Sequence, residues 1–182
     1  MANILDTSND GVCLFSLPVL QDFMKQNGIN GNKLIPKLQR NRKLFIESQK
    51  AGIWVPIVGI DSVAYDVRLE GQDEHFGEEW DEKFSYGGFN LEIQDTICMA
   101  DIGLLHPFEA VDFSGDEKHY ETRDGHTIYQ RFQRKVPSGK YVLSIKGYAR
   151  KDSKGYGESG CKAEFGYWFS LKTVDVFEGY QN

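Results

Sequence analysis

The sequence contains few of the features that would place it in a specialised class. It has three widely spaced cysteines in 182 residues, Cys13, Cys98 and Cys161, and no C-x-x-C pair. That pattern argues against a disulfide framework or a zinc site, so we expect reduced, mostly buried thiols. No apolar run approaches the ~20 residues of a membrane helix, and the first residues do not resemble a secretory signal. We therefore expect a cytoplasmic protein that does not associate with membranes.

Motifs for catalysis are also missing. The chain has no G-x-S-x-G elbow, no phosphate-binding loop and no dinucleotide-binding glycine pattern. His119, Glu121, Asp124 and His126 could ligate a metal, but their spacing matches no standard site, and residues 112–121 lack the order of a calcium loop. We predict no catalytic residue, metal or cofactor, while an enzyme whose carboxylates meet only in the fold stays the third alternative.

Acidic residues are concentrated in the middle of the chain. Residues 61–125 contain 18 Asp or Glu and four Lys or Arg, whereas residues 1–60 and 126–182 each have more basic than acidic residues. The extreme is the acidic segment, residues 70–82 (EGQDEHFGEEWDE), with seven acids and no basic residue. Because a buried unpaired charge costs several kcal/mol, this segment must lie in water or against a basic partner.

Two interpretations of the acidic segment remain open. It is either a solvated loop between strands or a docking surface that steers in a basic protein, with exposed aromatic anchors at its centre. A nucleic-acid ligand is disfavoured there, because phosphate contacts need Lys and Arg. The docking interpretation predicts eight partner-binding residues: Asp73, Glu74, Phe76, Glu78, Glu79, Trp80, Asp81 and Glu82.

The apolar periodicity predicts an α+β fold. Helical spacing indicates helices at about 17–26 and 35–50, inside an N-terminal helical segment at 16–51. Alternation then predicts strands throughout a β-rich body at 53–178, as a mainly antiparallel sandwich or partly open barrel. Residues 53–58 and 63–69 look like one hairpin, and the Pro137-Ser138-Gly139 turn predicts another between Val136 and Tyr141. No linker divides the chain, so we expect a single domain over residues 1–182.

Three stretches resemble small cytoplasmic immunity proteins of bacterial polymorphic toxin systems. They are SQKAGIWVPIVG, SVAYDVRLE and KVPSGKYVLSIKGYA. The resemblance implies an inhibitor that binds one toxin domain, and it assigns no functional residues. With the charge pattern, it leads us to expect a non-catalytic inhibitor that neutralises a basic toxin, such as a nuclease, through an acidic surface.

The alternative is a β-sandwich module that binds carbohydrate or another small ligand on an aromatic face. Six aromatic residues of the predicted strands could form that face, because their side chains recur at strand spacing. They are Trp54, Tyr141, Phe165, Tyr167, Trp168 and Phe169.

Overall fold

The computed structural model describes residues 3–7, 11–153 and 163–178. Within these ranges the chain forms ten β-strands and three α-helices. The strands are β1 (Ile4–Asp6), β2 (Gly11–Phe15), β3 (Trp54–Val58), β4 (Ala64–Leu69), β5 (Trp80–Ile93), β6 (Thr96–Asp101), β7 (Glu117–Glu121), β8 (Thr127–Lys135), β9 (Gly139–Arg150) and β10 (Phe165–Val174). The helices are α1 (Leu17–Gln26), α2 (Leu34–Arg40) and α3 (Arg42–Lys50).

The predicted fold class, two N-terminal helices followed by a sandwich or partly open barrel, is wrong. The fold is mostly β, two strands precede α1, and 3-10 turns at Ile102–Leu104 and Ala110–Phe113 place further helical structure late in the chain. The first strands were missed because β2 does not alternate. All five of its residues are buried, so its apolar run cannot be told from a buried helical segment by period alone.

The ten strands form one sheet that curls into a nearly closed barrel. Their order is β3-β2-β6-β8-β1-β4-β10-β9-β5, and β7 pairs with β8 outside this path. Neighbours are antiparallel except for the β1–β8 and β4–β10 pairs. The end strands β3 and β5 approach each other along the second half of β5, where the Glu92 amide donates to the Gly52 carbonyl at 2.8 Å.

Both predicted hairpins are wrong. β3 pairs with β2, whereas β4 pairs with β1 and β10. β8 and β9 meet at the Pro137–Ser138 turn but stand four places apart in the strand order. This turn contacts the β5–β6 connection instead: the Ser138 hydroxyl donates to Asp95 Oδ1 at 2.9 Å and accepts from the Asp95 amide at 3.1 Å. A tight turn reverses the chain, but core packing decides which strand it then joins.

The barrel interior is filled by alternate side chains of its strands. Because successive residues of a strand point to opposite faces, each strand of the order from β3 to β5 contributes one set to this core and the other set to the outside. The buried members are Leu5, Val12, Leu14, Val55, Tyr65, Val67, Leu69, Leu91, Ile93, Ile97, Met99, Phe132, Val136, Tyr141, Leu143, Ile145, Tyr167 and Phe169.

A helical layer covers the outer face of β2 and β6. Phe15, Cys13 and Cys98 point outward from these strands and pack against the helices in a second buried cluster. Cys13 and Cys98 are free thiols, as expected, and burial raises the pKa of Cys98 to about 12. Cys161 lies outside the described residues.

The helix predictions are confirmed for α1 and corrected for the second helix. The predicted helix at 35–50 is two helices, α2 and α3, separated at Asn41. The Asn41 side chain accepts a hydrogen bond from the Leu44 amide at 3.1 Å and so caps α3. Gly52 follows α3 with a φ of +72°, a conformation that glycine adopts without strain, and it ends the helical layer at the seam of the barrel.

Candidate binding surface

Phe76 and Trp80 of the acidic segment pack against the outer face of the barrel. Each is only 6% exposed, and both belong to a cluster with Tyr148 of β9 and Trp168 of β10, which we call the outer aromatic cluster. The centre of the Phe76 ring lies 4.5 Å from that of Tyr148 and 4.7 Å from that of Trp80. These contacts secure the segment on the sheet.

The expectation that Phe76 and Trp80 are exposed is therefore wrong. Within the segment they are two apolar residues in a polar stretch. No periodic pattern of apolar residues there indicates that they would be buried against another part of the protein. The surface that buries them consists of outward side chains on β9 and β10, which lie some 70 to 90 residues away in sequence. Because the rings of Phe76 and Trp80 are buried, they hold the acidic segment in place and are not accessible to a partner.

Arg68 of β4 ties the acidic segment to the sheet. Its guanidinium donates to the carbonyls of Glu74 at 2.9 Å and His75 at 3.1 Å, and lies 4.2 Å from the centre of the Phe76 ring. Two more hydrogen bonds, at 3.1 and 2.7 Å, join it to the buried carboxylate of Asp66. This two-pronged contact has the geometry in which Arg–carboxylate pairs are strongest.

Asp73 and Asp81, two of the predicted partner-binding acids, have partners within the chain. Asp73 accepts from the Leu69 amide at 2.8 Å and from Asn3 Nδ2 at 3.1 Å. Asp81 lies 3.3 Å from Lys83 Nζ. Asp73 in particular is only 11% exposed, so it stabilises the turn after β4.

Glu82 is paired as well. Its carboxylate accepts from Lys146 Nζ at 2.9 Å and from the Tyr148 hydroxyl at 3.2 Å. The hydrogen bond from Lys146 is the main reason that the pKa of Glu82 lies below its ordinary value of 4.5. Burial, followed by the charge of Glu82, raises the pKa of Tyr148. Glu82 therefore links the acidic segment to the outer aromatic cluster.

Glu74, Glu78 and Glu79 are exposed acids of the segment whose carboxylates have no cationic partner in a salt bridge within the described part of the chain. Their backbone is nevertheless held from both sides: Arg68 donates to the Glu74 carbonyl, and the Lys151 amide donates to the Glu79 carbonyl at 3.0 Å. Like charges are thus kept together on an ordered backbone.

Two aromatic residues that the sequence analysis missed are exposed on β5, the strand that follows these acids in the chain. Phe84 and Tyr86 are 37% and 63% exposed, and their ring centres lie 5.3 Å apart on the first half of β5. β5 ends the strand order and pairs with β9 on one edge. The alternation of Phe84 and Tyr86 with Lys83 and Ser85 was a strand signal that directly follows the acids.

The six residues of the predicted aromatic face do not form one surface. Trp54 is 2% exposed and donates to the Ser48 hydroxyl at 3.0 Å, and Trp168 is buried in the outer aromatic cluster. Tyr141, Tyr167 and Phe169 belong to the barrel core, and Phe165 packs against it.

The histidine-rich stretch at 119–126 does not bring its ligand types together. His119 lies 3.2 Å from Glu117, and His126 lies 3.8 Å from Asp124 at the following turn. Over residues 3–7, 11–153 and 163–178, no three His, Cys, Asp or Glu side chains are grouped as a metal ion would require.

Comparison with known proteins identifies no relative: no family model, curated protein or solved structure matches this chain. In the described ranges, no helix is both long and apolar enough to span a membrane.

Proposed function

We propose that this chain is a non-catalytic inhibitor of a basic protein, and that it acts in the cytoplasm as an immunity protein against a toxin such as a nuclease. The observation that carries the proposal is the docking surface, defined as the exposed carboxylates of Glu74, Glu78 and Glu79 together with the exposed rings of Phe84 and Tyr86. This surface retains the exposed acids predicted from the sequence. Its aromatic residues are the exposed Phe84 and Tyr86 in place of the buried Phe76 and Trp80.

Electrostatics favours a cationic partner for this surface. Glu78 and Glu79 are adjacent exposed acids, so a partner that brings Lys or Arg relieves their mutual repulsion. Complementary charge also accelerates the encounter, because long-range attraction steers the two proteins together. Nucleases fit this requirement, since a protein that binds phosphates presents a basic cleft.

Phe84 and Tyr86 supply the apolar contact area that the three carboxylates cannot provide. Exposed carboxylates at the rim of an interface contribute mainly to association rate, whereas buried aromatic residues at its centre contribute most of the affinity. Both rings stand on a strand whose other edge is hydrogen-bonded to β9. Because that strand is already ordered, little conformational entropy is lost on binding.

The test is a binding measurement against the protein encoded by the adjacent gene, at low and at high salt. Two variants are compared with the wild type: Glu78→Lys with Glu79→Lys, and Glu109→Lys with Asp116→Lys. Both pairs change the net charge equally and all four residues are exposed, but Glu109 and Asp116 lie beside β7. We expect the first pair to weaken binding by about tenfold or more at low salt and by less at high salt.

The control pair distinguishes local docking from general charge. If both pairs weaken binding equally, the partner senses net charge and the docking surface is wrong. The variant Tyr86→Ala tests the contribution of the aromatic rings to binding. It should increase the dissociation rate and leave the salt dependence of association unchanged.

A further inference from the structure

A cavity of about 230 Å³ opens at the end of the barrel where β4 and β10 begin. Its lining includes Tyr65, Tyr167, Phe165 and the backbone of Gly147, and it shares the Phe84 ring with the docking surface. We propose that this cavity binds a small, neutral, planar aromatic molecule with one or two rings. The inference concerns the isolated chain and does not depend on the proposed inhibitory function.

The walls of the cavity are aromatic and already arranged for stacking. Tyr65 and Tyr167 are stacked with ring centres 5.1 Å apart, and Phe165 lies 6.1 Å from Tyr65. Phe84 lies 6.3 Å from Tyr167 on the other side. Aromatic pairs favour offset or edge-to-face contacts at these distances, so an inserted ring finds partners on several sides.

Gly147 determines the shape of one wall. A Cβ atom at this position would lie 2.2 Å from the Phe84 ring, so the ring rests directly on the backbone of β9. Ala149, on the same face of β9, adds only a methyl group to the lining. The Phe84 ring fills the space above Gly147, and the small side chain of Ala149 leaves space that a larger side chain would occupy.

The polar groups of the cavity favour a neutral ligand. The Tyr65 hydroxyl donates to the Asp61 carbonyl at 3.3 Å, and burial raises the pKa of Tyr65 to about 12. Burial also raises the pKa of Tyr167, so both hydroxyls stay protonated at neutral pH. Lys83 is the one charged side chain of the described lining, and Asp81 pairs with it. A charged ligand would lose hydration without gaining an unpaired counter-ion.

The volume restricts the ligand further. An apolar cavity of about 150 Å³ is sufficient for benzene, so 230 Å³ accommodates a somewhat larger ring system. Drug-sized ligands occupy pockets of about 300 Å³ or more. A sugar is disfavoured, because its hydroxyls would leave hydrogen bonds to water that the few polar groups of this lining cannot replace.

The experiment titrates the purified protein with 2-naphthol and follows binding by NMR. Intermolecular contacts are expected from 2-naphthol protons to the rings of Tyr65 and Tyr167. Two charged analogues, 2-naphthoate and 2-naphthylmethylammonium, should bind at least about tenfold more weakly because their charge stays unpaired. Absence of saturable 2-naphthol binding, or contacts elsewhere on the surface, would overturn the proposal without any variant.

Two variants test the location. Ala149→Leu fills the cavity and should reduce 2-naphthol affinity by about tenfold or more, since the added side chain occupies the ligand volume. The control Val111→Ala shortens an exposed side chain in the 3-10 turn at Ala110–Phe113, outside the cavity lining, and should leave the affinity unchanged. Equal binding by wild type and a folded Ala149→Leu protein would contradict the site, whereas loss of partner binding in Tyr86→Ala alone concerns the docking surface.

Discussion

The guanidinium of Arg68 lies 4.2 Å from the centre of the Phe76 ring and simultaneously holds the carboxylate of Asp66. Asp66 is 3% exposed, and in the described part of the chain its salt bridge is with Arg68. The same side chain donates to two carbonyls of the acidic segment. Arg68 therefore does two things at once: it neutralises the buried Asp66 of β4 and it holds the backbone that carries the docking surface.

Replacing Arg68 by Met should destabilise the protein by about 3 kcal/mol. The substitution leaves the buried Asp66 carboxylate without its partner, which costs far more than the attraction within an exposed pair. Urea denaturation followed by circular dichroism measures the change. The matched control is Lys43→Met, because Lys43 forms an ion pair with Glu47 in which the lysine side chain is 84% exposed.

The control should change stability by less than about 0.5 kcal/mol, as is typical of exposed helical pairs. Equal losses in both variants would show that the Arg68–Asp66 pair contributes nothing beyond a surface ion pair. A double variant with Asp66→Asn should recover part of the loss, because the uncompensated charge is then removed.

A second prediction concerns the Glu82–Lys146 pair. The hydrogen bond from Lys146 lowers the pKa of Glu82 in the folded protein, so this carboxylate binds a proton less readily than in the unfolded chain. Its contribution to stability is therefore complete above the ordinary value of 4.5, which holds in the unfolded chain, and is lost as the pH falls through the lower folded value. Carbon-detected NMR of the Glu82 side chain measures the folded pKa directly.

The substitution Lys146→Met should raise the pKa of Glu82 towards its ordinary value of 4.5. Lys172→Met is the control, because it removes an exposed lysine that forms no salt bridge in the described part of the chain. A Glu82 pKa that is unchanged by Lys146→Met would mean that the Tyr148 hydroxyl, and not Lys146, stabilises the carboxylate.

The local signals in the sequence were more informative than the long-range ones. The helix at 17–26 was predicted correctly, because Pro18 and the Asn27-Gly28 stop act within a few residues. Strand pairing was predicted wrongly: the turn at Pro137 suggested a β8–β9 hairpin, yet these strands join different neighbours. Turn residues specify a reversal of the chain, whereas pairing depends on how the apolar faces of nine strands fill one interior.

The candidate site shows the same division. Charge alone predicted that Glu78 and Glu79 would be exposed, because burying an unpaired carboxylate costs too much free energy. It could not tell that Phe76 is buried and Tyr86 exposed, because both are single aromatic residues in polar surroundings. The difference lies in what each ring contacts: Phe76 packs in the outer aromatic cluster, whereas Tyr86 is 63% exposed and contacts Phe84.

The outer aromatic cluster depends on the absence of a side chain at Gly166 of β10. A Cβ atom there would lie 2.5 Å from the Phe76 ring and 2.9 Å from the Asp66 carbonyl, and the latter belongs to the backbone of the paired strand. Because β4 cannot move away without breaking its pairing, the Phe76 ring must shift. We expect Gly166→Ala to destabilise the protein by about 1–3 kcal/mol, the usual cost of overpacking.

The matched control is Gly139→Ala at the start of β9, where the nearest atom to an added Cβ would be the Tyr141 ring at 3.6 Å, an ordinary contact. Gly139→Ala should leave stability unchanged or raise it slightly, because alanine reduces the entropy of the unfolded chain. Tryptophan fluorescence gives a second readout, since Trp80 and Trp168 both belong to the disturbed cluster. If Gly166→Ala retains wild-type stability and fluorescence, Phe76 does not pack against β10, and the docking surface loses its ordered support.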